Sequence, residues 1–390
     1  MKRILGMSSI RSDYDLMSGV YRRLASDSSL KFKLLVSGAH LSMQHGRTVD
    51  LIRRDGIDFL AAVETLINGD SHASRLKTAV GLLNCSIDLI QNFNPDVLIY
   101  AGDREDVLVG GMIGAFLGIP TVHFFGGDHA CDGHVDNPIR HATSKLSTAH
   151  FVSTNEHRQR LLHLGEEDER VFVIGSVALD KFISEKHLDQ METLEGIGAK
   201  PHAQHASSKA ILIFHPLEQE KNLASQYITD VVDVLIAHGF HVFIGAPNTD
   251  PGNNALLCTI QILSGKPEVT FYKNTSRSFF VNLMRHANLM VGNSSAGIQE
   301  AASVGLPVIN IGLRQKHRFC GPNVIFCNGD KVEFQQAISR INSQAFIEML
   351  RTIKNPYGDG NSAGYAVRLL KEIDFRPLLQ KTKDPLSVRT

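Results

Sequence analysis

With 390 residues, 43% of them hydrophobic, the chain can bury a large core and falls outside the disordered class. Its 40 Lys and Arg balance 40 Asp and Glu, which excludes a global field drawing the protein onto nucleic acid or an anionic membrane. Any anion has to be gripped locally, and the length suits two domains of roughly 100 to 200 residues each.

The opening Met1-Lys2-Arg3-Ile4-Leu5-Gly6 is too short an apolar run for a signal segment or a membrane span, so a cytoplasmic location is expected. Short apolar or β-branched runs then recur at 32–36, 97–100, 121–125 and 171–174, each bounded by turn residues and each expected as a buried parallel strand. Between them, Leu76, Val80, Leu83, Ile87 and Ile90 place one apolar stripe on an expected helix over 72–92. The polar stretch 185–208, with Gly196, Gly198 and Pro201, reads as a linker or surface excursion. Alternation restarts with strands at 210–214, 241–245, 269–272, 289–292 and 307–311 and a helix at 221–238. Such alternation implies two doubly wound α/β domains, expected at 1–185 and 205–365, with a C-terminal helix and tail at 366–390 packing back on the first. Ligands of such sheets bind beyond the carboxyl ends of the strands, so an interdomain cleft is the expected site. Five cysteines at irregular spacing (Cys85, Cys131, Cys258, Cys320, Cys327) suit reduced thiols, expected mostly in the core.

Four sets of residues near strand ends carry chemistry. Gly292-Asn293-Ser294-Ser295-Ala296-Gly297-Ile298-Gln299-Glu300 leaves a strand and opens a helix with small residues, the pattern of a pyrophosphate cradle in which Glu300 accepts ribose hydroxyls. The competing reading is an ordinary helix N-cap. Gly102-Asp103-Arg104 puts a base and an anion clamp at the end of another strand. The next loop holds Asp128, His129, Asp132, His134, Asp136 and His141, three carboxylates and three histidines within fourteen residues. Crowding of that kind pushes pKa values apart and supplies both a proton donor and an acceptor near neutral pH. Those six residues with His123 are also ligand types for zinc or manganese, but neither His-x-x-x-His nor Cys-x-x-Cys spacing supports a metal site. Arg11, His215 and Arg314, each beyond a strand, together could neutralise a diphosphate.

Read in order, Arg11-Ser12-Asp13-Tyr14, Gly38-Ala39-His40-Leu41, Gly102-Asp103-Arg104, Gly126-Gly127-Asp128 and Ile139-Arg140-His141-Ala142 with Lys145-Leu146-Ser147 resemble the N-terminal motifs of the hydrolysing UDP-N-acetylglucosamine 2-epimerases. His215-Pro216, Val291-Gly292-Asn293-Ser294-Ser295, the 305–310 segment with Arg314-Gln315, and Asn355-Pro356-Tyr357-Gly358-Asp359-Gly360 continue the resemblance to about residue 372. The resemblance implies a GT-B-like fold of two Rossmann-like domains, a UDP-sugar substrate, no metal or redox cofactor, and a homodimer or homotetramer. It also implies removal of the C2 proton with loss of UDP, then hydration of the resulting 2-acetamidoglycal from the other face, giving N-acetylmannosamine or a relative. By the same matching, Asp103 is the acid/base at the reacting carbon and Asp136 a second acid/base. His40, Asp128, Arg140 and His141 line the sugar side with Arg104, while Arg11, His215, Ser294, Ser295, Gly297, Glu300 and Arg314 belong to the UDP side.

One departure is informative: where relatives carry Glu or His before Gly126-Gly127, this chain has Phe125, and an aromatic ring moves no protons. Phe125 is expected to pack against a less polar sugar, such as a 2,4-diacetamido-2,4,6-trideoxy hexose. The rival functions are a non-hydrolysing epimerase, a glycosyltransferase, a metallohydrolase and a silent nucleotide-sugar sensor.

Overall fold

The computed structural model describes residues 1–69, 71–130, 135–217, 219–247, 253–273 and 275–384. Thirteen strands are formed among them, all paired in parallel, and the chain divides into two units. Among the described residues the first unit takes Met1–His129, 135–181 and the C-terminal segment from Gly358; the second takes Ala130 and Phe182–Tyr357.

Strands β1 (Lys2–Ser8), β2 (Leu30–Ser37), β3 (Phe59–Val63), β4 (Val97–Ala101), β5 (Thr121–Phe124), β6 (Ala149–Val152) and β7 (Val171–Val173) build the first sheet in the order β3-β2-β1-β4-β5-β6-β7. In the second unit β8 (Ser208–Ile213), β9 (Phe240–Gly245), β10 (Val269–Tyr272), β11 (Leu289–Gly292), β12 (Val308–Ile311) and β13 (Val324–Cys327) run β10-β9-β8-β11-β12-β13. Both orders are the doubly wound Rossmann arrangement, in which the chain leaves the first strand of each sheet in two directions. The central strands are buried on both faces, as parallel sheets covered by helices require: every residue of β4 and β5 is buried. Ile4, Val36, Ile99 and Val122 lie in the core on one face of the first sheet, and Leu5, Leu35, Leu98 and Tyr100 in that on the other.

Three expectations are corrected. The helix His72–Phe93 forms, but Leu76, Val80 and Ile87 are exposed; its inward row is Ala79, Leu82, Ser86 and Ile90. The expected stripe straddled two faces, since its Ile90 is buried and its Leu83 packs on the core. The expected linker contains a helix, Gln190–Ile197, closed at its start by a capping box between Asp189 and Glu192. Leu194 and Ile197 are buried, and a Cβ on Gly196 would collide with the Phe279 ring, so this segment is packed into the second unit. Among the described cysteines only Cys327 is buried; Cys85 and Cys258 are exposed, and Cys131 lies outside the described residues.

Candidate active site

In the first unit the chemistry gathers at the carboxyl ends of β4 and β5. Gly102 follows β4 at φ 103°, a conformation that suits a residue without Cβ, and the turn it makes carries Asp103 and Arg104. His123 on β5 holds that turn from inside the unit. Its Nε2 donates to the Gly102 carbonyl at 2.8 Å and its Nδ1 accepts from the Ser144 hydroxyl at 3.1 Å. A carbonyl only accepts, so Nε2 bears the hydrogen; burial pushes the pKa down to about 3, leaving the ring neutral.

Asp103 pairs with Nη2 of Arg140, whose Nη1 lies 3.2 Å from Oδ2 of Asp128. Arg140 comes from the helix Asp136–Leu146, and Asp128 from the loop after β5. That loop turns sharply through Phe125 at φ 64° and Gly127 at φ 76°, where a Cβ on Gly127 would collide with the His157 carbonyl. Asp128 accepts from the His129 backbone N–H at 2.9 Å and stands 3.5 Å from His157 Nε2. One guanidinium therefore joins carboxylates from the loops of two adjacent strands. Phe125 is half-buried, with its ring packed on the apolar core of the unit.

A second guanidinium repeats the arrangement. Arg75 reaches Glu105 through Nε at 2.5 Å and Asp136, the first residue of its helix, through Nη2 at 2.8 Å. His141 stacks on His129 with ring centroids 5.4 Å apart and facing nitrogens 3.2 Å apart, so one hydrogen lies between them. Burial first, and His129 next, hold the His141 pKa below its usual value. Beside Arg104, Asp106 is buried; its desolvation raises the carboxyl to about 6 although the Arg104 charge opposes this. Asp13 is raised well above the usual range by burial and then by Asp106.

Two expected residues stand apart from this group. His40 is fully buried, with Nε2 2.9 Å from Ser8 Oγ and Nδ1 2.7 Å from Thr48 Oγ1, and burial lowers it to about 4. Its two bonds tie the end of β1 to the segment after β2. Arg11 is exposed at the start of the helix Arg11–Ser26, 3.4 Å from Asp15.

In the second unit Asn293 is the organising residue. It is fully buried, accepts from the His215 backbone N–H at 2.7 Å, and donates to the His215 carbonyl at 2.8 Å, locking the ends of β8 and β11 together. Its carbonyl accepts from Arg314 Nη1 at 2.9 Å and from Gln315 Nε2 at 3.2 Å. His215, Arg314 and the Ser294 loop are thereby brought together. Ser294 caps its own short helix, its Oγ accepting from the Ala296 N–H at 3.3 Å, while Ser295 stays exposed. Gly297 is explained by packing, since a Cβ there would come within 2.9 Å of Val308 Cγ1. Glu300 is held by Arg277 through two contacts, 2.8 Å and 3.3 Å.

Arg75, Glu105, Asp106, Asp13, His157 and Arg277 were not chosen as site residues from sequence. The acidic pair at 105–106 in the first helical turn after Gly102-Asp103-Arg104 was a readable signal; the two arginines and His157 lie on other elements and left none. Among the described residues no group of three or more His, Cys, Asp or Glu is placed to hold a metal ion, and Asp132 and His134 lie outside them. Nor is any described helix long and apolar enough to cross a membrane.

Residues 22–371 match the family model described as UDP-N-acetylglucosamine 2-epimerase. The UDP-N,N'-diacetylbacillosamine 2-epimerase (hydrolyzing) of Legionella pneumophila is 31% identical over 96% of both chains. The GDP/UDP-N,N'-diacetylbacillosamine 2-epimerase (hydrolyzing) of Campylobacter jejuni is 28% identical over 88% of both. The crystal structure of UDP-GlcNAc 2-epimerase from Neisseria meningitidis bound to UDP-GlcNAc superposes with a TM-score of 0.73 at 19% identity, covering 95% of this chain and all (100%) of that one. Its likeness bears out the GT-B-like pair of Rossmann-like units.

Proposed function

The chain belongs to the UDP-N-acetylglucosamine 2-epimerase family and is an enzyme of that family acting on UDP-N-acetylhexosamines, and from that premise we propose that it is a hydrolysing 2-epimerase. In this reading the C2–H and C1–O bonds of a UDP-N-acetylhexosamine break, giving UDP and a 2-acetamidoglycal. Water then adds its hydroxyl to C1 and a proton to C2 from the opposite face, so one water is consumed and C2 is inverted.

The observation that carries the reading is the Asp103–Arg140–Asp128 array, two carboxylates on one guanidinium at the ends of adjacent strands. A C2 proton is a weak acid, so removing it needs a carboxylate held in place while charge is stabilised as the diphosphate departs. Asp103 takes the C2 proton, and Asp128, Asp136 and His141 serve the return of a proton during hydration. Arg104 and Arg140 hold the sugar side and fix the carboxylates. The UDP side is assigned to Arg11, His215, Ser294, Ser295, Gly297, Glu300 and Arg314, with ribose hydroxyls donating to the Glu300 carboxylate that Arg277 steadies. No metal or redox cofactor enters the scheme.

Of the candidate sugars we favour UDP-2,4-diacetamido-2,4,6-trideoxyglucose over UDP-GlcNAc, supported by the printed substrate of the Legionella relative; the Phe125 ring, expected against the sugar, packs instead on the core of its unit. The product would then feed a reaction that condenses a free 2-acetamido mannose-type sugar, as in nonulosonic acid synthesis in the cytoplasm. Incubation with each UDP-sugar, followed by proton NMR, tests both points. Free UDP with a free C2-inverted sugar is expected; a UDP-linked epimer would make the enzyme non-hydrolysing, and faster turnover of UDP-GlcNAc would remove the substrate preference. Self-association is supported by the exposed Leu76, Val80 and Ile87 row. A sedimentation coefficient of a dimer or larger is expected.

A further inference from the structure

The helix Asp136–Leu146 carries Asp136, Arg140 and His141 into the candidate active site, so its position decides where three of the site's groups lie. Its amino end is tied by the pair of Asp136 with Arg75, and its middle by Arg140 on Asp103 and Asp128. The carboxyl end needs separate holding, because the last carbonyls of a helix have no donor within it. The Ser147 N–H closes on the Thr143 carbonyl at 3.0 Å and on the Ser144 carbonyl at 3.2 Å. For the Lys145 carbonyl the donor comes from the C-terminal segment.

Lys381 Nζ reaches the Lys145 carbonyl at 2.9 Å and the Ser144 carbonyl at 3.4 Å, and its third contact is the Glu166 carboxylate at 2.6 Å. A lysine in a terminal segment is ordinarily solvated, but this side chain is only 26% exposed. Its ammonium sits where a helix dipole favours a cation. Glu166 is the fixed point behind it. Its side chain is fully buried, His150, kept neutral by burial, donates to it at 3.0 Å, and Lys145 Nζ lies 2.7 Å from its other oxygen. Burial alone would raise the Glu166 carboxyl, but His150, Lys381 and Lys145 hold it down to about 2, so it stays charged.

From Ser144 two routes lead to Asp103. Along the helix, Arg140 lies one turn back, about 6 Å along the axis, and pairs with Asp103. Across the sheet end, the Ser144 hydroxyl donates to His123, which donates in turn to the Gly102 carbonyl beside Asp103. We propose that Lys381 is a positioning residue of the active site: by closing the carboxyl end of this helix onto Glu166 it sets Arg140, and through it the Asp103 carboxylate, against C2 of the sugar. The catalytic part rests on the reading of Asp103 as the base for that carbon.

The test uses Lys381→Met, which removes the ammonium and keeps the apolar stem. It is compared with Lys381→Arg, which restores a charged donor, and with Lys371→Met, at a lysine of the helix Ser362–Glu372 that pairs with Asp27. UDP release from the faster of the two candidate UDP-sugars gives kcat and KM, measured well below the melting temperature of each variant. Lys381→Met is expected to lower kcat about tenfold with KM within about twofold, because a small displacement of a reacting group costs rate more than binding. Lys381→Arg should recover most of the loss, and Lys371→Met should lose nothing. A kcat for Lys381→Met within twofold of the unaltered enzyme, an equal loss in Lys371→Met, or no gain in Lys381→Arg overturns the proposal. If Lys381→Met does not fold, the shorter, uncharged Lys381→Gln is read in the same way. The Cε1–H resonance of His141, assigned with His141→Gln, reports the helix without turnover. It is expected to move in Lys381→Met and to stay in place in Lys371→Met, and an unmoved resonance in Lys381→Met overturns the proposal. If the unaltered enzyme binds the sugars and releases no UDP, the reading of Asp103 fails, and this resonance still decides whether Lys381 sets the helix.

Discussion

Arg140 is 11% exposed and neutralises Asp128, itself 8% exposed, while orienting Asp103. Removing one partner of such a buried array leaves a charge uncompensated, so Arg140→Met is expected to cost about 3 kcal/mol of stability and to abolish turnover. Combining it with Asp128→Asn should recover much of the stability and none of the activity, which urea titration of the double-mutant cycle measures. His123 and His40 give a pH dependence of definite sign. Both are buried and neutral, with pKa values lowered to about 3 and about 4, whereas the unfolded chain protonates near 6.5. Below that value the unfolded state binds more protons than the native one, so stability is complete above pH 6.5 and falls as the pH drops toward the folded values. By pH 5 each contributes a loss of about 2 kcal/mol, and His123→Gln should flatten the slope of melting temperature between pH 7 and 5. At this scale the acidic loops were legible because Asp103 and Asp128 follow strands directly. Arg140 was read from its Ile139-Arg140-His141-Ala142 motif, whereas Arg75, which pairs with Glu105 and Asp136, was not, because it meets them only through the fold.

The helix Gln190–Ile197 shows how an element can hide in a polar stretch. Its Asp189 and Glu192 are a readable capping box, but Gly196, Gly198 and Pro201 nearby are loop formers, and composition outweighed the local signal. Leu194, 2% exposed, is its anchor, and Leu194→Ala should cost about 2 to 4 kcal/mol by urea titration. A solvated linker residue would cost almost nothing. For the helix His72–Phe93 the periodicity found the element and placed Leu83 and Ile90 inward correctly, but it merged them with an exposed outer row of Leu76, Val80 and Ile87. That outer row carries a prediction: Val80→Lys should leave the melting temperature within a degree or two while lowering the sedimentation coefficient if the row is a contact between copies. An unchanged coefficient would assign self-association elsewhere. The strand β6 was missed because four residues between hydroxyl-rich flanks give too little pattern to separate a strand from a turn.

Across the molecule, strand-helix alternation was enough to read two doubly wound sheets, since that architecture is written in local periodicity. The return of the chain to the first unit is held by long-range polar contacts. Asp180 accepts from the Ser362 and Ala363 N–H groups at 2.9 and 2.8 Å. The buried Arg170 donates to the carbonyls of Leu378 and Gln380, and Lys381 lies 2.6 Å from the Glu166 carboxylate that His150 also contacts. A chain ending at Asp374 takes two acceptors from Arg170, leaving it Glu167 and the Thr148 carbonyl, and weakens the charge balance at Glu166. Calorimetry should then show the transition of the first unit lowered by several degrees and that of the second unchanged.

The central claim is that Asp103 moves the proton on C2 of a UDP-N-acetylhexosamine. Turnover in deuterium oxide, read by proton NMR of the released sugar, tests it most directly. The unaltered enzyme should place solvent deuterium at C2 of essentially every product molecule, and Asp103→Asn should reduce product formation by about a thousandfold or more. Product that retains its original C2 hydrogen, or an Asp103→Asn enzyme that turns over at the normal rate, would contradict the account.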